Sequence, residues 1–173
     1  MFKGLITESR NWDCATYMAW WDVVDVIGVD AYYQNVTWGT TVEEMVKQWS
    51  PILDDLGALS ISRNKPLIFS EVGYCSGDCD RDHKPAPLDF QLHARHYEAI
   101  FQATADRKWF HGAFWWNWVS DPRSLAASDE DDCLTPQFKS AEDTLRLYYH
   151  STLPKTPTPS GSSQCLGFGK CTA

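Results

Sequence analysis

The sequence has 173 residues, about the length of one domain, and 43% of them are apolar, so the chain can bury a hydrophobic core. Its 15 basic and 23 acidic side chains give a formal net charge of −8, which disfavours binding to nucleic acid or to an anionic membrane surface. The sequence contains no apolar stretch of about 18 residues, and residues 1–12 lack the apolar core of a signal peptide. We therefore predict neither a membrane anchor nor an export signal in this chain.

Four short apolar segments end in polar or aromatic side chains, a pattern typical of strands in a buried parallel sheet; they are residues 3–6, 22–33, 66–71 and 112–118. Apolar residues recur at helical spacing in three segments between and after them, at 42–56, 90–104 and 138–149. Thr41 and Glu44 predict a capping box at the start of the first helix, and Pro51 predicts a kink or a break within it. This alternation predicts an α/β fold built from βα units on a parallel sheet.

The side chains that follow parallel strands gather at one edge of the sheet, where ligands bind. Glu71 comes directly after a buried-type strand, so its carboxylate would project from a rigid element at that edge. A carboxylate held in this way can act as a nucleophile on an electrophilic carbon. The alternative is a glutamate that caps the next helix or pairs with an arginine.

The chain is rich in aromatic residues, with nine Trp, seven Tyr and eight Phe. Flat apolar rings suit the faces of sugars, and the same rings can also serve only to fill a core.

Four motifs, in chain order, carry a family resemblance: Asn11-Trp12, WWDVVDVIGVDAYY at 20–33, KPLIFSEVGY at 65–74 and GAFWWNW at 112–118. Together they resemble the carboxyl-terminal half of a retaining glycoside hydrolase barrel, most closely glycoside hydrolase family 113, the endo-β-1,4-mannanases. The resemblance covers residues 3 to 150 approximately. It implies a partial (β/α)8 TIM barrel over residues 1–152, which consists of strands five to eight with their helices. The resemblance also implies that this domain acts on a β-linked polysaccharide such as mannan and needs no metal or cofactor.

The resemblance also implies roles for individual residues. Glu71 matches the nucleophile at the end of strand seven of the family. Six residues match the positions that bind the substrate: Asn11, Trp12, Asp30, Tyr32, Trp116 and Trp118.

One element of the family pattern is missing from the sequence. A retaining glycosidase uses two carboxyl groups about 5–5.5 Å apart, and the acid/base of this family lies in an Asn-Glu pair after strand four. The sequence has no Asn-Glu dipeptide, so we expect a truncated chain that lacks its general acid. Glu8 is a weaker candidate for a replacement, and the alternative function is a carbohydrate-binding remnant without catalysis.

Residues 153–163, LPKTPTPSGSS, predict a solvated Pro/Thr/Ser linker, and residues 164–173 form a tail with two cysteines that is either a disulfide loop or the stump of a second module. Six cysteines and the sequon at Asn35 favour a secreted ancestor. We predict the disulfides Cys75–Cys79 and Cys165–Cys171, and prefer the first of these to a metal site.

His93 and His96 share one face of the second helix, and we expect a solvated pair or a pair satisfied within the core rather than metal ligands. The acidic run 129–132 is interpreted as a solvated loop rather than a calcium site, because it lacks the glycine and spacing of such a loop. A half barrel would leave strand edges unpaired, which predicts a homodimer through those edges or low solubility.

Overall fold

The structure, a computed structural model, describes residues 4–8, 21–33, 41–77, 88–120 and 134–152, with the backbone alone described for 4–8. After one turn of 3-10 helix at Trp21–Val23, strands and helices alternate. The elements in chain order are β1 (Gly4–Glu8), β2 (Val26–Asp30), α1 (Val42–Arg63), β3 (Leu67–Val72), α2 (Phe90–Thr104), β4 (Phe110–Trp115) and α3 (Ser140–Thr152).

The four strands form one parallel sheet in the order β1-β2-β3-β4. Strands that follow one another in the chain are also neighbours in the sheet. Helix α1 connects β2 to β3, and helix α2 connects β3 to β4. Within the described residues, no further strand pairs with the outer edge of β1 or of β4. The predicted α/β fold with a parallel sheet is confirmed.

Helix α1 begins at the predicted capping box. The Glu44 backbone N–H donates to Thr41 Oγ1 (3.3 Å), and the Thr41 N–H donates to Glu44 Oε2 (2.9 Å). Of the two outcomes predicted for Pro51, a break is wrong, because the helix continues through Pro51 to Arg63, and a kink stays a prediction. Its apolar side is buried along its whole length, and this packing offsets the hydrogen bond that proline removes; the buried residues include Met45, Trp49, Ile52, Leu53, Leu56 and Leu59.

The core lies between one face of the sheet and the helices. Alternate residues of β2 and β3 contribute to it, together with the apolar sides of α1 and α2. The strand residues in this core are Ile27, Val29, Leu67, Phe69 and Val72, all fully buried. The residues between them point to the opposite face, which we call the open face.

Two glycines are required by the backbone near the carboxyl end of the sheet. Gly112 lies in β4 with φ at +141°, a conformation that other residues rarely adopt. A Cβ on Gly73 would lie 2.0 Å from the carbonyl oxygen of Trp116, so the chain after β3 passes against the chain after β4 only because residue 73 has no side chain.

Element ends differ from the sequence predictions by a few residues. β1 extends to Glu8, which is therefore the last residue of the strand and not a residue beyond it. β4 begins at Phe110 and ends at Trp115, earlier than predicted, and α3 begins at Ser140. In the part of the chain that is described, none of the helices combines the length and the apolar character needed to cross a bilayer.

Candidate active site

Glu71 lies near the carboxyl end of β3 and is half-buried. Its carbonyl oxygen accepts a hydrogen bond from the Ala31 backbone N–H (2.7 Å), which ties this end of β3 to β2. Its side-chain Oε2 accepts a hydrogen bond from the Tyr32 hydroxyl (3.2 Å). Among the described residues, neither an arginine partner nor a helix-capping bond is found for this carboxylate, so the alternative structural interpretation is not supported there.

Asp30 and Tyr32 are two further predicted site residues, and both lie at the same edge of the sheet. Asp30 is the last residue of β2, is only 5% exposed, and accepts a hydrogen bond from the Ser70 hydroxyl at Oδ1 (2.8 Å). Burial raises the pKa of the Tyr32 phenol well above its usual value, and the neighbouring Glu71 carboxylate raises it further. Tyr32 therefore stays protonated at neutral pH and remains a hydrogen-bond donor to Glu71.

Trp116 and Trp118 follow β4 at this edge. The Trp116 backbone N–H donates to the Val72 carbonyl (2.7 Å), so the chain leaving β4 lies against the residue next to Glu71. The bond between Trp116 and Asn117 is a cis peptide. Trp116 is 46% exposed and Trp118 58%, so both rings are available to a ligand.

The structure therefore brings Asp30, Tyr32, Glu71 and the backbone of Trp116 to one edge of the sheet. Ser70 is a member of this group that the sequence interpretation missed. The signal that could have revealed it is the run Phe69-Ser70-Glu71-Val72, in which two polar residues separate two apolar ones and break the alternation of a strand.

Several predicted features lie outside the described residues. They include the candidate site residues Asn11 and Trp12, the sequon at Asn35, the acidic run 129–132, the linker 153–163 and the tail 164–173. The Cα of Glu8 pairs with that of Asp30 in the sheet, and only the backbone of Glu8 is described. Cys75 is disulfide-bonded, and the five other cysteines lie outside the described residues, so both predicted pairings stay predictions.

His93 and His96 do lie on one face of α2, where both are buried rather than solvated. The His96 ring stacks on Tyr74, with 4.1 Å between ring centroids. Burial lowers the pKa of each imidazole to about 4, with a further contribution from Lys139 at His93 and from Arg95 at His96. Over the described ranges no group of three or more His, Cys, Asp or Glu side chains is arranged to hold a metal ion.

The sequence and the fold are both similar to those of known proteins. The model of Glycoside Hydrolase Family 113 matches residues 1–137. No curated protein matches the sequence. Among solved structures, a GH113 β-1,4-mannanase aligns with a TM-score of 0.62 at 24% identity, over 84% of this chain and 44% of its own.

Two further structures extend this comparison. The GH113 β-mannanase AaManA from Alicyclobacillus acidocaldarius, solved in complex with ManMIm, aligns with a TM-score of 0.59 at 28% identity, over 80% of this chain and 42% of its own. A β-glucuronidase from Bifidobacterium dentium, solved with coumarin-3-O-glucuronide, has a TM-score of 0.51 at 17% identity, covers 77% of this chain and 21% of its own, and shares the fold alone.

The chain spans less than half the length of each mannanase structure that it matches, and its parallel sheet with helices corresponds to part of their TIM-barrel fold. Because the family model covers most of the sequence, the chain belongs to glycoside hydrolase family 113.

Proposed function

We propose that this chain carries the nucleophile side of a retaining β-mannanase active site, with Glu71 as the nucleophile. The hydrogen bond from Tyr32 to Glu71 at the carboxyl end of the sheet is the single observation that supports this role best. This bond holds the carboxylate at the edge where barrel enzymes bind substrate. The chain that leaves β4 at this edge carries Trp116 and Trp118, which are both exposed.

The proposed chemistry proceeds by double displacement. A Glu71 oxygen attacks the anomeric carbon, the bond from that carbon to the leaving oxygen breaks, and a glycosyl ester forms on the enzyme. Water then hydrolyses the ester and releases the sugar with net retention. In this scheme Tyr32, which remains protonated, restricts the Glu71 carboxylate to one orientation through its hydroxyl.

The substrate we propose is a β-linked mannan, because the similar GH113 structures are β-mannanases. Trp116 and Trp118 would stack on sugar faces, and Asn11, Trp12, Asp30 and Tyr32 would contribute the remaining contacts. The mannan assignment rests on the family, whereas the aromatic contacts also rest on the exposure of the two tryptophan rings.

We further propose that the chain lacks the general acid of the family, since its sequence contains no Asn-Glu pair. Without an acid to protonate the leaving oxygen, a natural glycosidic bond would break slowly, whereas a substrate with an activated leaving group would not need this help. The same residue is the base that takes a proton from water in the second step, so the glycosyl ester would form quickly on an activated substrate and hydrolyse slowly. The missing pair also favours the second candidate function, a domain that binds β-mannan through its exposed tryptophans without cleaving it.

The unpaired edges support a homodimer as the proposed assembly. Among the described residues neither β1 nor β4 has an outer neighbour, and Phe114 on β4 is 66% exposed. Pairing β4 of one copy with β1 of a second copy would remove both edges from solvent. Sedimentation of the purified chain should give a dimer, and a monomer at all concentrations would contradict this proposal.

For the longer family protein we propose secretion, which the cysteines and the sequon support.

The burst of dinitrophenolate from 2,4-dinitrophenyl β-mannoside, one per chain, tests the proposed nucleophile, because this leaving group departs without protonation. The full chain should release dinitrophenolate, and Glu71→Gln should abolish the release. Glu98→Gln is the matched control, since Glu98 lies on α2 and is hydrogen-bonded to Gln102. Binding of mannan oligosaccharides without any release by the unmodified chain would support the binding domain and contradict the enzyme.

A further inference from the structure

Between Phe69 and Val72, next to Glu71, strand β3 contains one residue more than each of the neighbouring strands. On the β2 side, Val29 pairs with Phe69, but the following residue, Asp30, pairs with Glu71. On the β4 side, one residue of β4 lies between the partners of Phe69 and Val72, whereas two residues lie between Phe69 and Val72 in β3. The same segment is therefore bulged against both neighbouring strands, with Ser70 skipped in the pairing with β2. An opposite shift precedes it, since β4 has the extra residue between the partners of Leu67 and Phe69.

This bulge decides which way Glu71 points. Phe69 and Val72 are both fully buried in the core beneath the helices. A regular strand would place residue 71 on the same face as residue 69, which is the helix-covered face. With the extra residue, Ser70 and Glu71 both lie on the open face, where the Ser70 side chain meets Asp30 at the end of β2 and the Glu71 side chain meets Tyr32 just after it.

A side-chain hydrogen bond between β3 and β2 stabilises the bulge. The hydroxyl of Ser70, the residue skipped in the pairing, donates to Asp30 Oδ1 at 2.8 Å. Asp30 lies between Val29 and Ala31, both fully buried in the core, so its backbone position is rigid. Next to this bond, the Ala31 N–H donates to the Glu71 carbonyl, so the extra residue and the residue after it are both hydrogen-bonded to the β2 side.

We propose that Asp30 and Ser70 are positioning residues, which hold the bulge in β3 and thereby keep the Glu71 carboxylate on the open face. This inference rests on the proposed role of Glu71 for its catalytic consequence only. Its structural consequence, that loss of the Ser70 hydroxyl loosens the β2–β3 pairing around Glu71, is independent of any activity.

Two variants of one position test the proposal in the full chain. Ser70→Thr keeps the hydroxyl and adds a methyl group, whereas Ser70→Val has the branched shape of threonine without the hydroxyl. In Ser70→Val we expect amide hydrogen exchange at Ala31 and Trp116 to accelerate about tenfold or more relative to Ser70→Thr, with exchange in the middle of α1 unchanged. Ser62→Ala, which removes a serine hydroxyl bound to the Leu59 carbonyl, is the control for loss of one such bond elsewhere.

The kinetic readout separates positioning from folding. With 2,4-dinitrophenyl β-mannoside, Ser70→Val should slow the burst, the first release of one dinitrophenolate per chain, about tenfold with little change in the substrate concentration that gives half its maximal rate, and Ser70→Thr should restore most of that rate. Unchanged exchange at Ala31 and Trp116 in Ser70→Val would overturn the proposal. If the unmodified chain releases no dinitrophenolate, the proposed function fails, and the exchange measurement still decides the role of Ser70 and Asp30.

Discussion

The two faces of the sheet differ in what their residues contribute, although they are formed by the same strands. The covered face presents apolar side chains such as Val29, Phe69 and Val72, all fully buried against the helices. The open face presents Asp30 and Glu71, together with exposed aromatic rings toward and beyond the end of β4. Folding free energy therefore comes mainly from one face, and the chemistry that we propose belongs to the other.

Core residues and site residues alternate closely along β3, and the register of the strand decides on which face each of them lies. Phe69 and Glu71 are two residues apart, a spacing that in a regular strand places both on one face. The bulge at Ser70 assigns one to the core and the other to the site. The two faces should accordingly respond differently to substitution.

The largest effect is expected from a substitution on the covered face. Phe69→Ala should lower the free energy of unfolding by about 3–5 kcal/mol, because it leaves a cavity between Trp49 and Phe110, whose rings contact Phe69. Ile68→Ala, one residue away and half-buried on the open face, should cost clearly less. Urea denaturation of both variants measures the difference, and equal losses would contradict the assignment of the two faces.

A smaller effect on the free energy of unfolding is expected from a change of pH, through the buried histidines of α2. His96 is buried with its pKa lowered from 6.5 to about 4, so the unfolded chain binds its proton more readily than the folded chain. Its contribution to stability is complete above pH 6.5 and is lost as the pH falls toward 4, which amounts to about 2–3 kcal/mol by pH 4.5.

His96→Phe removes this titration and keeps an aromatic ring against Tyr74. The difference in unfolding free energy between pH 7.5 and pH 4.5 should therefore shrink by about 2–3 kcal/mol in this variant. His150→Phe, at an exposed position of α3, should leave the difference as it is in the unmodified chain. If His96→Phe also leaves it unchanged, His96 is not buried in its neutral form.

The smallest effect on stability is expected at the open face. Tyr32→Phe removes only the hydroxyl that donates to Glu71 and should cost about 1 kcal/mol or less of unfolding free energy. Its effect on the release of dinitrophenolate should be larger in proportion, about a tenfold loss, because Glu71 loses the group that orients it. A variant with full activity would show that this hydrogen bond does not matter for the nucleophile.

The sequence predicts most of the fold because its signals are local. The apolar spacing of α2 and the capping box of α1 involve residues a few positions apart, and both are confirmed. Pro51 is a local signal that did not end α1, because burial of the apolar side of this helix outweighs the hydrogen bond that proline removes.

The candidate site was predictable only in part. Strand ends identify Asp30, Tyr32 and Glu71, and the structure does bring these three together. The contact between Ser70 and Asp30 joins residues 40 positions apart and depends on the register of β2 against β3, which no local pattern determines. The catalytic and binding roles of all these residues stay predictions.

The central claim is that the Glu71 carboxylate stands on the open face and attacks a sugar there. A 2-deoxy-2-fluoro-β-mannosyl fluoride tests it directly, because fluoride leaves without a general acid and the fluorosugar ester hydrolyses slowly. After incubation with the full chain, mass spectrometry of the digested protein should find one fluoromannosyl group on the peptide that contains Glu71. An unlabelled chain, or a label on another carboxylate such as Asp30, would contradict the account.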